Sequence, residues 1–396
     1  MLNGKHIVLG VTGSIAAYKI ASLASMLKKC RADITVIMTQ NATNFINPIT
    51  FETLTGNKCL VDTFDRNFQY SVEHVSLAKQ TDVFMVAPAS ANVIAKAAHG
   101  LADDMLTTTL LACECKKIVA PAMNTRMYHN PVTQDNIRIL QRYGMEVLTP
   151  TTGYLACGDT GEGKMPEPEV LFEAIVSALH PKDMQGVKVL VTAGATREKI
   201  DPVRYISNHS TGKMGYAIAK AAVYRGAEVT LVTGKTSLQP PAGVHTVEIV
   251  SAADMADAVK ACAGEQDIII KAAAVADYTP KFPADEKVKK KDDELMIELE
   301  RTEDILGFLG QHKKDGQFLC GFSMETENMV ENSRTKLNKK NLDLIVANNL
   351  KQSGAGFGTD TNIVTLLSEE DKIELPIMSK QEVADELLTY IMKHRK

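Results

Sequence analysis

Short apolar runs that end in small or hydroxyl residues recur along this chain, each followed by residues with apolar positions at helical spacing. His6 to Val11 is the first run; it leads into Thr12-Gly13-Ser14 and a predicted helix from Ile15 to about Lys29. Asp33 to Met38 predicts a second strand, with Thr39, Asn41 and Asn44 clustered just past its end. Val83 to Ala87 predicts a third, followed by Pro88-Ala-Ser-Ala-Asn-Val93. Ile118-Val119-Ala120 predicts another, followed by Pro121-Ala-Met-Asn124 and a loop to Pro131. Runs apolar at successive positions belong to parallel sheets covered on both faces. The spacing of Val132, Ile137, Ile139 and Leu140 supplies one covering helix. The fold class expected is α/β, with ligands at the carboxyl edge of the strands.

Between Ala178 and Gly186 the periodicity gives way to proline, glycine and charge, which marks a linker at 181–186. Strand-to-helix alternation restarts at Val187 to Thr192. Residues 1–180 and 187–396 therefore read as two Rossmann-like domains in tandem, the second not a repeat of the first. In the second, Tyr205 to Gly215 leads into a helix from Tyr216 to Arg225, and Asp267 to Ile270 predicts a strand running into Lys271-Ala-Ala-Ala-Val-Ala-Asp277. Asn362 to Ser368 and Lys372 to Leu375 alternate as a hairpin does, and a last helix covers Lys380 to Lys393.

Composition narrows the class without changing the fold. The chain has 396 residues, 45% of them hydrophobic and 23% charged, as in ordinary globular proteins of two or three domains. A net charge of −4 exerts no general pull toward nucleic acid or membrane. The opening Met1 to His6 lacks the apolar core of a signal peptide, and no run is long enough to span a bilayer. Seven scattered cysteines without a CxxC pair point to a reducing compartment, hence the cytoplasm, and to no disulfide framework. Cys113 and Cys115 fall in a helix-like segment and read as core.

Candidate chemistry lies where strands end. Gly13 permits a tight turn, and Ser14 can cap the helix whose N-terminus points amide hydrogens at a phosphate. The full GxGxxG pattern is missing, so a mononucleotide suits this turn better than NAD. Ser90 and Asn92 offer hydrogen bonds along the same edge, and Asn124 an amide that both donates and accepts. His74, ahead of a helix and flanked by Val72 and Val75, could stand at a pocket rim or simply be exposed. Gly153 to Pro168 is rich in glycine, as a lid is. Its GxxxxGK spacing at Gly158 to Lys164 lacks the following Ser or Thr and a good preceding strand, so a P-loop is rejected. Cys157 stands in this stretch, where a closing lid would carry its thiol to a reacting atom. In the second half, Ser210, Thr211, Gly212 and Lys213 at a helix start suit a phosphate. Asp277 suits a divalent cation or a ribose hydroxyl. Lysines at 287–291, with Lys336, Lys339 and Lys340, suit a triphosphate and Mg²⁺. RNA is the competing ligand, but no aromatic residues interleave with these lysines.

Gly13-Ser-Ile-Ala-Ala-Tyr-Lys19, His74, Pro88-Ala-Ser-Ala-Asn92, Pro121-Ala-Met-Asn124 and Ala156-Cys-Gly158 together resemble the flavin-dependent cysteine decarboxylases, over essentially all of residues 1–180. The resemblance implies a flavodoxin-like homo-oligomeric domain that binds FMN between subunits of a trimer. It would oxidise the thiol of 4'-phosphopantothenoylcysteine to a thioaldehyde, whose C=S group lets the β-carboxylate leave. By the same resemblance His74 is the base near the flavin, Asn124 holds the substrate carboxylate and Cys157 returns the last proton. A transferase that prenylates flavin shares this fold, but the lid cysteine and the attached second half speak against it. A non-enzymatic regulatory flavoprotein would lack His74, Asn124 and Cys157, and all three are present.

Thr196 to Arg204, Asn208-His-Ser-Thr-Gly-Lys-Met214, Ala274-Val-Ala-Asp277 and Lys336 to Asp343 resemble phosphopantothenate–cysteine ligase. That resemblance implies activation of 4'-phosphopantothenate by CTP as an acyl-cytidylate, displaced by the amine of L-cysteine, in ligase dimers. Asn208 would stabilise the acyl-cytidylate, Lys287 would contact phosphates and the activated carbonyl, and Asp277 would hold the cation or nucleotide. Phe322, Lys336 and Lys340 would line the CTP site. Thr302-Glu303-Asp304-Ile305 stands where the family usually has Asn-Pro-Asp-Ile, and Thr211 where it often has Ser. CTP rather than ATP follows from the resemblance alone. Both halves together are similar to the bifunctional coenzyme A biosynthesis family.

Overall fold

The computed structural model describes residues 2–64, 73–154, 158, 160–289, 295–325, 329–349, 356 and 358–395. The chain forms two compact units, Met1–Pro181 and Lys182–Lys396.

In the first unit the apolar runs become β1 (His6–Val11), β2 (Asp33–Met38), β3 (Val83–Ala89), β4 (Lys116–Pro121) and the short β5 (Glu146–Val147). They form one parallel sheet in the order β2-β1-β3-β4-β5. Every residue of β3 is buried, as a central parallel strand between two helical layers requires. The helices described are α1 (Tyr18–Lys29), α2 (Pro48–Thr55), α3 (Glu73–Gln80), α4 (Ala91–His99), α5 (Met105–Ala112), α6 (Thr125–Tyr128), α7 (Pro131–Arg142) and α8 (Pro168–Leu179). Helices α3, α4, α5 and α7 pack on the face carrying Val8, Phe84, Val86 and Val119. On the other face α1 packs against α8.

Local chemistry sets where these helices start. Asp104 and Thr107 close a capping box on α5, and Asn130 caps α7 ahead of Pro131. The first helix departs from expectation: residues Ile15–Ala17 form a 3₁₀ turn, and the α-helix begins at Tyr18. His74 lies inside the first turn of α3 rather than ahead of a helix. Cys113 and Cys115 lie beyond α5 rather than in it; Cys113 is buried and Cys115 half-buried. The glycine-rich stretch is no structureless loop in its described part. Residues β6 (Thr151–Tyr154) and β7 (Thr160–Lys164) pair antiparallel.

The second unit begins with β8 (Lys188–Ala193), the small antiparallel pair β9 (Arg197–Lys199) and β10 (Tyr205–Ser207), and α9 (Lys213–Tyr224). Next come β11 (Glu228–Gly234), β12 (His245–Ile249), α10 (Ala252–Ala263) and β13 (Ile268–Lys271). A second small pair, β14 (Tyr278–Pro280) and β15 (Leu299–Arg301), precedes α11 (Ile305–Gln311). The chain continues through β16 (Phe318–Glu325), α12 (Met329–Lys339) and β17 (Leu344–Asn349). It ends with β18 (Thr361–Asn362), β19 (Val364–Leu367), β20 (Lys372–Glu374), β21 (Met378–Ser379) and α13 (Lys380–His394).

The main sheet has the order β12-β11-β8-β13-β16-β17-β19-β20. It is parallel as far as β17, and the expected C-terminal hairpin β19–β20 extends its edge antiparallel. Residues alternate strictly in destination. Val191, Ile270, Leu344 and Val346 join α9 and α13 in one core, while Leu190, Ile269, Leu319 and Ile345 join α10, α11 and α12 in the other. Among the described residues no helix is long and apolar enough to cross a membrane.

Candidate active sites

In the first unit a cleft of about 600 Å³ opens where β1, β3 and β4 end. The buried Thr12 fixes its floor: the hydroxyl donates to the Pro88 carbonyl (2.7 Å) and accepts from the Ser90 amide (3.0 Å). Two strand-end loops are thereby held in register. Gly13 has no room for a side chain, because a Cβ there would stand 2.9 Å from Cβ of Asn41. Ser14 accepts from Ala16 N (3.3 Å), and Ser90 caps α4 through Val93 N (3.4 Å). Asn124 caps α6 through Arg126 N (2.8 Å) and lines the cleft wall.

At the end of β2 the Thr39 amide donates to the Val11 carbonyl (3.0 Å), yet the buried Thr39 hydroxyl has no hydrogen-bond partner among the described residues. Such an orphan costs about 1–3 kcal/mol unless something satisfies it. The capped turn at Gly13-Ser14, which does line the cleft, suits a phosphorylated ligand. Ile15, Tyr18, Met127 and Tyr154 border the cleft and are all exposed, so flat apolar surface is on offer beside the polar floor.

The β6–β7 hairpin lies against the Asn124 loop. Met123 N donates to Gly163 O (3.0 Å), and a Cβ on Gly163 would fall 2.3 Å from the Met123 carbonyl. A Cβ on Gly161 would fall 2.5 Å from Oγ1 of Thr125. These glycines therefore serve close approach. Cys157 lies outside the described residues. Three expected members of this site do not line the cleft: Thr39 is buried at the end of β2, His74 is half-buried on α3, and Asn92 is exposed on α4.

In the second unit a cleft of about 480 Å³ brings together Asp277, Thr302, Glu303, Asp304, Ile305, Phe322, Lys336 and Lys340. Thr302 holds the 276–277 turn, its hydroxyl donating to Ala276 O (2.6 Å) and its amide to Asp277 O (3.0 Å). Asp304 caps α11 through Gly307 N (3.0 Å) and pairs with Lys340 (2.9 Å). Burial pushes its carboxyl up, but those two partners outweigh burial and hold it below the usual range. Glu303 pairs with Lys260, and Lys336 reaches Ser323 Oγ at 3.4 Å.

One residue of this cleft was not singled out from sequence. Lys271, the last residue of β13, ends an Ile-Ile-Ile-Lys run on the carboxyl edge, and that position was its signal. Burial lowers its pKa from 10.5 to about 8, with Lys340 acting the same way and Asp304 and Asp277 opposing. Among the described residues its ammonium has no hydrogen bond or ion pair. No group of three or more His, Cys, Asp or Glu among the described residues could hold a metal by itself.

Asn208 and Lys287 do not line this cleft. Asn208 is exposed and its amide donates to Ala274 O (3.1 Å). Lys287 is also exposed, but its neighbour Val288 is pinned: the Val288 amide donates to Asp201 (3.2 Å), and Arg204 donates to the Val288 carbonyl (3.0 Å). A smaller cleft of about 160 Å³ is lined by Ser210, Thr211, Gly212, Lys213 and Asn348, and it shares Phe322 with the larger one.

Residues 1–180 match the family model described as Flavoprotein, and residues 184–394 that described as DNA/pantothenate metabolism flavoprotein C-terminal domain. Fold and clefts thus define a tandem α/β flavoprotein of pantothenate metabolism. Over 396 residues the chain is 48% identical to the coenzyme A biosynthesis bifunctional protein CoaBC of Bacillus subtilis (strain 168), covering 99% of this chain and 97% of that one. It is 41% identical over 404 residues to CoaBC of Escherichia coli (strain K12), covering 100% of both. A crystal structure of the C-terminal domain of a coenzyme A biosynthesis bifunctional protein is 47% identical, covering 54% of this chain and 97% of that one, with a TM-score of 0.47. The chain belongs to the family of bifunctional coenzyme A biosynthesis proteins. It is an enzyme with two activities, phosphopantothenoylcysteine decarboxylase and phosphopantothenate–cysteine ligase, and residues 1–180 are its flavoprotein domain.

Proposed function

We propose that the second unit activates 4'-phosphopantothenate with CTP and Mg²⁺ and couples it to L-cysteine, and that the first unit decarboxylates the product at the cleft around Asn124. The observation that supports this best is the gathering of Asp277, residues 302–305, Phe322, Lys336 and Lys340 around one cleft. Lys336, Lys340 and Lys271 would face the triphosphate, and Phe322 would pack on the nucleotide. Asp277 alone is too little for a protein-built metal site. A hard cation held by one carboxylate and the nucleotide's phosphates is the usual Mg²⁺ arrangement. Asn208 and Lys287 would act on the acyl-cytidylate from the mouth. In the coupling step the cysteine nitrogen bonds to the acyl carbon. The bond from that carbon to the phosphate oxygen breaks, CMP leaves with the electron pair, and the amine loses its proton to water.

In the first unit Gly13, Ser14, Thr39 and Ser90 would hold FMN. Bound FMN supplies the two-electron oxidation that labilises the carboxylate and later returns the electrons. The Asn124 amide donates to the substrate carboxylate and orients it. Cys157, which falls between β6 and β7 in the sequence, would deliver a proton to carbon. His74 and Asn92 would complete the cleft of a neighbouring copy, which suits a homo-oligomer with a trimeric decarboxylase core and ligase dimers. The reactions belong in the cytoplasm.

The test is pyrophosphate release from 4'-phosphopantothenate with CTP or ATP, with and without EDTA. Release confined to CTP plus Mg²⁺ is expected; equal release with ATP, or release unaffected by EDTA, overturns the nucleotide or the metal assignment. Separately, Cys157→Ser should keep FMN absorbance and lose 4'-phosphopantetheine formation. An unchanged rate would remove the proton-donor role.

A further inference from the structure

Resting on the ligase reading above, we infer that Asp201 is a positioning residue for the coupling step: from the tip of the β9–β10 hairpin it fixes the backbone beside Lys287. This hairpin ties the cleft at one end to the Lys287 segment at the other. At its base the buried Thr196 accepts the Ala276 amide at Oγ1 (3.0 Å), and its carbonyl accepts the Ser207 hydroxyl (2.7 Å). Asn208, the next residue, donates to Ala274 O (3.1 Å). Ala274 and Ala276 belong to the stretch that brings Asp277 to the cleft.

At the tip, the two carboxylate oxygens of Asp201 do different things. Asp201-Pro202-Val203-Arg204 is a turn sequence, and Oδ1 closes it by accepting the Val203 and Arg204 amides (both 2.8 Å). The turn requires no more than that. Oδ2 accepts from Arg204 at Nε (3.0 Å) and Nη2 (2.5 Å), and from the Val288 amide (3.2 Å), 87 residues along the chain. Nη2 of Arg204 also donates to the Val288 carbonyl (3.0 Å). One ion pair thus occupies both backbone polar groups of a single distant residue. Asp201 is buried, yet Arg204 and the three amides outweigh burial and hold its carboxyl well below the usual carboxylate range. The acceptor is therefore ionised at any working pH.

The held segment has few other anchors. Among the described residues, the remaining hydrogen bond and ion pair of 282–289 also run to this hairpin: Ala284 N donates to Ile200 O (2.9 Å), and Asp285 stands 3.9 Å from Lys199. Lys287 is exposed, on a flexible four-carbon stem. Such a side chain reaches one carbonyl reproducibly only when its own backbone is fixed, and Val288 is the adjacent fixed point. Activation of the carboxylate takes place in the cleft around Asp277 and residues 302–305, so it does not depend on this anchor.

The experiment separates the two half-reactions in the full-length enzyme. Pyrophosphate released in a burst from CTP and 4'-phosphopantothenate, without cysteine, reports activation; the rate of CMP release when cysteine is then added reports coupling. Asp201→Asn keeps the oxygen that closes the turn and puts an NH2 group where Arg204 and the Val288 amide require an acceptor. It should leave the burst unchanged and slow coupling by about ten- to a hundredfold, the weight of a small misplacement of a reacting group. Introduced into Lys287→Gln, the same change should slow coupling by less than about twofold further, because Asp201 acts only through Lys287. Asp201→Ser, whose hydroxyl still closes the turn but does not reach Arg204, replaces the Asn variant if that one loses its burst, and the same split is expected of it. Unchanged coupling in the variant that keeps its burst, effects that multiply in the double variant, or burst and coupling lost together in both variants overturns the assignment. An unmutated enzyme without any burst would end the ligase reading itself, and this assignment with it.

Discussion

Lys271 shows how one side chain links cleft, charge and pH. Its folded pKa of about 8 lies below the ordinary 10.5, so below pH 8 the ammonium is charged in both states and the native state bears the cost of enclosing it. That cost is relieved as pH rises from about 8 to 10.5, where the folded protein gives up the proton first. Lys271→Met should therefore raise the melting temperature of the second unit at pH 7, with a gain that shrinks toward pH 10. The same lysine would attract a triphosphate only while charged. Nucleotide affinity of the unmutated enzyme should fall as pH rises through about 8, and the variant should lose that step, as titration of CTP binding at several pH values would show.

Elements explain why some site residues could be read from sequence and others could not. Gly13, Ser14, Ser90 and Asn124 sit where an apolar run meets a cap, and both signals are local, so their place at the cleft was legible. His74 and Asn92 carried motif resemblance but do not line the cleft of their own chain, a matter of three-dimensional placement that spacing does not encode. Gly161 and Gly163 illustrate a different shortfall. Their density suggested looseness, whereas each removes a Cβ that would strike the Asn124 loop. Gly163→Ala should accordingly cost about 1–3 kcal/mol in local docking, since it also imposes a side chain at φ +125°. The expected outcome is a marked loss of decarboxylation with pyrophosphate release intact, and parallel assays of the two activities would check it. Ligase residues 302–305 were placed by resemblance. Their cleft is built from the ends of distant strands, which no window of sequence displays.

At the scale of the whole molecule, each unit has its own sheet and its own covering helices. A chain truncated to residues 182–396 should keep pyrophosphate release within about threefold of the intact enzyme, because independent domains carry their own cores. Collapse of that fragment to an unfolded state, seen by circular dichroism, would show that the halves depend on each other for stability. Covalent continuity also has a consequence for supply. Every copy translated brings one ligase and one decarboxylase, so gene expression cannot skew their ratio, and only the turnover numbers of the two centres decide whether the thiol-bearing intermediate accumulates in the cell.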